Sequence, residues 1–403
     1  MVKSELKSEL VAPAGTLEKL IWAARYGADA VYFGTEFGSL RAYAGNFSLD
    51  DAQKGIDFLH KNGKRALVTL NIYPYSDEYE KLLKTAQILN EMKVDALIVA
   101  DIGLVFELKK AGIKSAIHIS TQANTTSSQS VLAYHQLGAA RVNLARELSF
   151  EQIKQIREDT SPSGIQLEVF IHGAVCFSYS GRCAISDYLT ARKANRGECT
   201  HPCRWEYSLV EEKRPNEFFP VFEDKRGQYM FNSKDLALFE YIRPLKEIGV
   251  DGFKIEGRMK SVHYIASVLS LYRQLLDGKE ISPQECLRLL SRVKNRGYST
   301  GFMKGEILQS DYSTEKSDTS SEAVFVGDIV NEETATGCIC HTRNKIFAGE
   351  KLEVLTPAGE MSEITMPKPL KTIDGNDAEF VNNPEKILLV QKLPAYSILR
   401  RVV

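Results

Sequence analysis

Four of the seven cysteines fall together, in the spacing Cys176-x6-Cys183-x15-Cys199-x3-Cys203. Thiolates are soft ligands, and four of them suit either tetrahedral zinc or an iron–sulfur cluster. Structural zinc usually sits between short Cys-x2–4-Cys knuckles, and only Cys199-Thr200-His201-Pro202-Cys203 has that form. The wide first pair, with Ser178, Ser180 and Gly181 between its members, can wrap a larger object. Spacing therefore leaves zinc, a cluster and unligated thiols all open. His201 is a spare ligand or, more simply, a turn residue beside Pro202.

The surroundings of the thiols are cationic. Arg182, Arg192, Lys193, Arg196 and Arg204 are opposed only by Asp187 and Glu198. Such charges stabilise an anionic cluster, and they equally suit a phosphate backbone or a small anionic substrate. Cys286, Cys338 and Cys340 lie far away. The odd total is no disulfide framework. Cys338-Ile339-Cys340 reads as a strand segment with both sulfurs on one face.

The chain that must position these groups has 403 residues, 43% hydrophobic and 26% charged, enough for a large core and more than one domain. Lys+Arg 51 against Asp+Glu 52 leaves a formal net charge of -1, so any nucleic-acid contact must come from a local patch. No apolar run approaches the ~18 residues of a membrane span. The charged start, Met1-Val2-Lys3-Ser4-Glu5, does not read as a signal peptide. The expectation is a cytoplasmic protein.

Short apolar runs alternate with amphipathic stretches along the first two thirds. Strands are expected at Glu9–Ala12, Ala30–Phe33, Arg65–Leu70, Ala96–Ala100, Ala116–Ile119, Arg141–Leu144, Gln166–Ile171 and Gly252–Ile255. Helices are expected over Leu17–Tyr26, Leu49–Lys61, Glu78–Met92 and Gln129–Leu137. Ser48 and Ser149 have N-cap spacing, and Gly27, Gly63, Gly112 and Gly138 stand where helices end. Eight strands in β-α order fit a TIM-type (β/α)8 barrel, and no Gly-x-Gly-x-x-Gly supports a dinucleotide fold. The barrel is placed at 1–280, with a cysteine-bearing insertion over 172–229 at the carboxyl ends of the strands. A helical stretch, Pro283–Arg296, and a polar linker fill 281–322. A small all-β domain, expected to be a barrel, follows at 323–403, with strands at Val324–Val330, Lys351–Leu355, Ile387–Val390 and Ile398–Val402.

Polar residues at the carboxyl ends of barrel strands should converge. They are Asn71, Asp101, Thr121, Gln122, Arg146, Glu147, His172, Glu256 and Arg258, with Asp101 and Thr121 equally suited to capping helices. His172 and Glu256 are the catalytic candidates. Arg258, Lys254, Arg146 and Gln122 are candidates for substrate binding, arginine being the better carboxylate clamp. Tyr179, Tyr188 and Trp205 are available to stack on a base.

The run from Glu168 to Ser186, with Glu168, Phe170, Gly173, Cys176, Gly181, Cys183 and Ser186 in place, resembles the signature of the collagenase-like peptidase family. The resemblance extends to Ala12-Pro13-Ala14-Gly15, to Phe253-Lys254-Ile255-Glu256-Gly257-Arg258 and to the small β domain. Arg41 and Asn46, in Arg41-Ala42-Tyr43-Ala44-Gly45-Asn46-Phe47, match a family-like pattern and join the substrate-binding candidates. Despite its name, the family resembles oxygen-independent hydroxylases of tRNA wobble uridine, ribosomal cytidine and ubiquinone. The resemblance implies a [4Fe–4S] cluster on Cys176, Cys183, Cys199 and Cys203. It also implies prephenate as donor and tRNA as partner, the β domain favouring the tRNA-directed branch. A dicarboxylate donor implies at least one arginine beside it.

Peptidase chemistry is the alternative. The sequence has neither His-Glu-x-x-His nor Gly-x-Ser-x-Gly, leaving only Cys176 near His172 as a thiol–imidazole pair. An RNA-binding accessory protein with a structural metal is the reading outside enzymes.

Overall fold

The computed structural model describes residues 8–39, 46–176, 178–204, 209–211, 214–219, 222–224, 227–229, 234–305, 321–334 and 337–403. These form two compact units. One comprises the described residues before 25, 28–259 and 296–305; the other comprises 25–27, 260–295 and 321–403.

The first unit is the expected barrel. Its strands are β1 (Glu9–Pro13), β2 (Ala30–Gly34), β3 (Arg65–Leu70), β4 (Ala96–Val99), β5 (Ala116–Ile119), β6 (Arg141–Asn143) and β7 (Gln166–Gly173). They pair in parallel in sequence order. After β7 come two small hairpins, β8 (Leu209–Glu211) with β9 (Arg214–Phe219) and β10 (Phe222–Asp224) with β11 (Gly227–Tyr229). Then β12 (Asp235–Ala237) precedes β13 (Gly252–Ile255), which pairs with both β7 and β1 and closes the ring.

Strands and helices have visible causes. The barrel strands are buried along their length, as expected where helices cover one face and the interior the other. Val11, Ala30, Tyr32, Leu67, Ala96 and Ile98 fill the interior. The helix Leu49–Lys61 starts where Ser48 accepts the Asp51 N–H and buries Ala52, Ile56 and Leu59. Ser149 and Gln152 form a full capping box on the helix Phe150–Thr160.

Besides the four hairpin strands, the described residues of the first unit include two more that the sequence did not announce. β12 runs antiparallel to β7, with Leu236 opposite Gly173 and Ala237 opposite His172. That pairing carries β7 two residues beyond its expected end. β14 (Tyr298–Ser299) then pairs with β12. Segments of two or three residues carry no readable periodicity.

The second unit contains two helices, Val262–Leu276 and Pro283–Leu290, and an eight-stranded antiparallel sheet, the expected all-β domain. The second of these helices is shorter than expected; it stops before Ser291, whose carbonyl accepts the Glu322 N–H. Cys338 and Cys340 lie on one strand, Gly337–Thr342, with both side chains buried in the sheet's core. Among the described residues no helix is long and apolar enough to cross a membrane.

Candidate functional site at the barrel mouth

Alternating strand residues point inward, and the deeper ones carry charge. Arg141 of β6 bonds Glu9 and, at 3.2 Å, Glu168; Lys254 of β13 bonds Glu168 at 2.8 Å. All four are almost fully buried. Burial pushes the Glu168 carboxyl up, but the charges and hydrogen bonds of Lys254 and Arg141 outweigh it and hold it below the usual range. Lys254 Nζ also sits 4.5 Å from the centre of the Tyr32 ring. The carboxylate that Lys254 meets is therefore Glu168, within the barrel. Nearby, burial foremost, then Arg141, Arg65 and Lys254, keeps His118 neutral, well below the ordinary histidine range.

Above this network lie the other candidates. His172 stands at the end of β7, 1% exposed, its ring 5.6 Å from that of Tyr298. Its carbonyl accepts the Glu256 N–H at 2.8 Å. The intervening close approach requires glycine: at Gly173, with φ +115°, a Cβ would stand 2.6 Å from the Glu256 carbonyl oxygen. Glu256 is half-buried and accepts from the Tyr32 hydroxyl at 3.2 Å. Arg258 is buried and donates to Ser39 at 2.7 Å, Thr69 at 3.3 Å and Asn46 at 3.0 Å, all neutral oxygens. The structure thus unites Arg258 with Asn46. Arg41 lies outside the described residues.

Strand ends also fasten the cysteine segment. Glu147 accepts from the Ser180 N–H at 2.7 Å and from its hydroxyl at 3.2 Å. Arg146 donates to the Ala174 carbonyl at 3.2 Å and lies 4.1 Å from the Phe170 ring centre. Gln122, half-buried, abuts Gly181, where a Cβ would be 2.1 Å from the Gln122 carbonyl oxygen. Lys193 bonds the Tyr75 hydroxyl at 2.9 Å. Asp101 serves as a cap, accepting the Leu104 N–H, and Thr121 bonds the Leu144 carbonyl.

Of the four clustered cysteines, Cys176 is exposed and Cys183, Cys199 and Cys203 are half-buried. In kind and number they fit a four-thiolate iron–sulfur cluster. Their positions are not gathered into a ligand set: among the described residues no three His, Cys, Asp or Glu side chains converge to hold a metal. His201 has the left-handed backbone of a turn residue, with φ 58°. Tyr179 and Tyr188 are 65% and 89% exposed; Trp205 lies outside the described residues.

Sequence reasoning missed Asn143, the last residue of β6. It is 2% exposed, and neither amide atom has a hydrogen-bond partner. An inward polar residue at a strand's carboxyl end was the available signal, since Asn143 shares its face with Arg141.

A barrel whose mouth carries an anchored four-thiol segment, followed along the chain by an antiparallel-sheet domain, defines the class of protein. Family comparison also divides the chain in two. The model described as "Peptidase family U32" matches residues 15–311, and "Peptidase family U32 C-terminal domain" matches 321–400. The chain belongs to peptidase family U32. It is 34% identical over 401 residues to "tRNA hydroxylation protein P" of Escherichia coli (strain K12), covering 88% of each chain. It is 34% identical over 392 residues to "tRNA hydroxylation protein P1" of Bacillus subtilis (strain 168), covering 95% of this chain and 91% of that one. Against the "23S rRNA 5-hydroxycytidine C2501 synthase" of Escherichia coli (strain K12), identity is 35% over 278 residues, 69% of this chain and 40% of that one.

Proposed function

We propose that this chain is an RNA hydroxylase that modifies C5 of a pyrimidine, the wobble uridine of tRNA first, with prephenate as donor. The likeness to tRNA hydroxylation proteins along most of the chain supports the reaction class. The observation that carries the site is the fastening of the cysteine segment to the barrel mouth through Glu147 and Arg146. In this reading Cys176, Cys183, Cys199 and Cys203 hold a [4Fe–4S] cluster, which when bound supplies electron transfer that side chains cannot.

The protein's own groups do the rest. Arg258, held in orientation by Ser39, Thr69 and Asn46, supplies positive charge for an anionic donor. Arg41 and Arg146 are further cations for the donor or for phosphate. Gln122 lines the rim. Glu256, half-buried beside Tyr32, and His172 are the groups that hold or move a proton. Tyr179 and Tyr188 offer exposed ring faces to an extruded base. A Cys176–His172 peptidase pair is the weaker reading, because it needs an exposed thiol to work with an almost fully buried imidazole.

The test is production of this chain in Escherichia coli lacking its own tRNA hydroxylation protein, with nucleoside mass spectrometry of the RNA. Restored 5-hydroxyuridine in tRNA is the expected result. A 5-hydroxycytidine signal in 23S rRNA would move the substrate, and RNA binding with neither nucleoside formed would replace the enzyme by a binding module.

A further inference from the structure

The orphaned amide of Asn143 lies in a row of inward-facing residues. In a parallel barrel, residues paired across neighbouring strands face the same side. Asn143 pairs with Glu168, whose carboxylate meets Lys254 and Arg141 inside the barrel, so Asn143 also points inward. On its other flank His118 pairs with Arg141 and Ile119 with Val142, which brings Ser120 beside Asn143. Continuing through Val99 and Leu70 brings Asn71 into the same row, and its amide donates to the Ser120 hydroxyl at 3.3 Å. The row Asn71, Ser120, Asn143 therefore crosses the barrel at the carboxyl ends of β3, β5 and β6.

Burying a polar group without a partner is unfavourable, and native proteins avoid it unless the group serves something else. Asn143 leaves both a donor and an acceptor unused although Glu168 and Ser120 flank it in register. We infer that Asn143, with Ser120 and Asn71 beside it, forms a subsite that reads the carbonyl–NH edge of the target pyrimidine. An amide presents one acceptor and one donor side by side, the complement of that edge. A carboxylate fits less well, because its oxygens would face Asn143 Oδ1 acceptor to acceptor. The inference rests on the RNA-hydroxylase reading and names the part of the substrate that enters deepest.

The test uses the full chain, wild type and Asn143→Leu, which keeps the approximate shape and removes both polar atoms. Nucleoside mass spectrometry should show at least a tenfold loss of 5-hydroxypyrimidine, from a lost bidentate contact. The melting temperature should hold or rise, because no protein hydrogen bond is broken. A second readout is binding of an anticodon stem-loop RNA carrying uridine or an abasic site at the wobble position. Wild type should prefer uridine, and Asn143→Leu should lose that preference while keeping its affinity for the abasic RNA. Unchanged hydroxylation, or an unchanged preference for uridine, overturns the subsite. So does a melting temperature lowered by several degrees, which would give the amide a structural role through bound water only. If wild type forms no hydroxylated nucleoside and ignores the base, the RNA-hydroxylase reading has failed and takes this subsite with it.

Discussion

Glu147 accepts two hydrogen bonds from Ser180, one from its backbone N–H at 2.7 Å and one from its hydroxyl at 3.2 Å. One carboxylate at the mouth thus holds a residue that lies between Cys176 and Cys183 in the chain. Hydrogen bonds to a charged group contribute about 1.5–3 kcal/mol each, and here the contribution is local. Glu147→Ala should therefore loosen the cysteine segment while leaving the barrel folded. Limited proteolysis within 176–203 and alkylation of Cys183 should both speed up severalfold, with little change in melting temperature. A large fall in melting temperature would show that Glu147 supports the barrel itself.

The charge network below the mouth should behave in the opposite way. Glu168, Lys254 and Arg141 are buried together, so removing one partner leaves the others charged in a poorly solvated interior. Breaking such a pair costs about 3–5 kcal/mol. Glu168→Gln should lower the melting temperature by about 6–20 °C, at roughly 2–4 °C per kcal/mol for a unit of this size. Glu168→Gln with Lys254→Met should recover part of the loss, because the two changes share one interaction. Additive losses in a thermal-melt double-mutant cycle would argue against the coupling.

These buried groups also set how stability depends on pH. His118 is held neutral in the fold, and burial brings His263 in the second unit to about 3. The unfolded chain protonates histidine from pH ~6.5 downward while the folded chain does not. Acidification therefore favours unfolding by about 1.4 kcal/mol per pH unit for each histidine, and above ~6.5 their contribution is complete. Glu168, held below the usual carboxylate range, adds a loss of the same sign only below pH ~4.3. Denaturant melts between pH 7.5 and 4 should show the first decline, and His118→Asn should flatten its share of it.

What the sequence made legible follows from where its signals are strong. Arg65–Leu70, Ala116–Ile119 and Gly252–Ile255 were bounded correctly because each is a compact run flanked by chain-breaking or polar residues. Cys338 and Cys340 share a face because a strand repeats every second residue. The site was less legible. Lys254 and Arg258 look alike as cations four residues apart, yet one is engaged with Glu168 deep in the barrel and the other with Ser39, Thr69 and Asn46. That distinction depends on strand register and on residues up to 219 positions away. Asn143 escaped notice because an isolated asparagine carries no motif; its place at the end of β6 is a weak signal, and burial without hydrogen-bond partners is what marks it.

The four clustered cysteines give the last prediction. Their thiols are more accessible than those of the buried Cys286, Cys338 and Cys340. If they hold a cluster as proposed, anaerobically purified protein should contain about four irons and four acid-labile sulfides per chain, the content of a [4Fe–4S] centre. Cys176→Ser, Cys183→Ser, Cys199→Ser and Cys203→Ser should each lower iron content and bleach the visible charge-transfer absorption. Cys286→Ser, which removes a thiol from the other unit, should leave both unchanged. One zinc per chain would instead assign the segment a structural metal. No metal under strictly anaerobic handling would remove the redox centre from the proposed reaction and return attention to Cys176 as a nucleophile. Chelation supplies an independent arm: removing a bound cluster should speed proteolysis across 176–203, because metal binding and ordering of its ligands are coupled. The same treatment should leave the barrel's melting transition in place, since Glu168, Lys254 and Arg141 do not depend on the thiols.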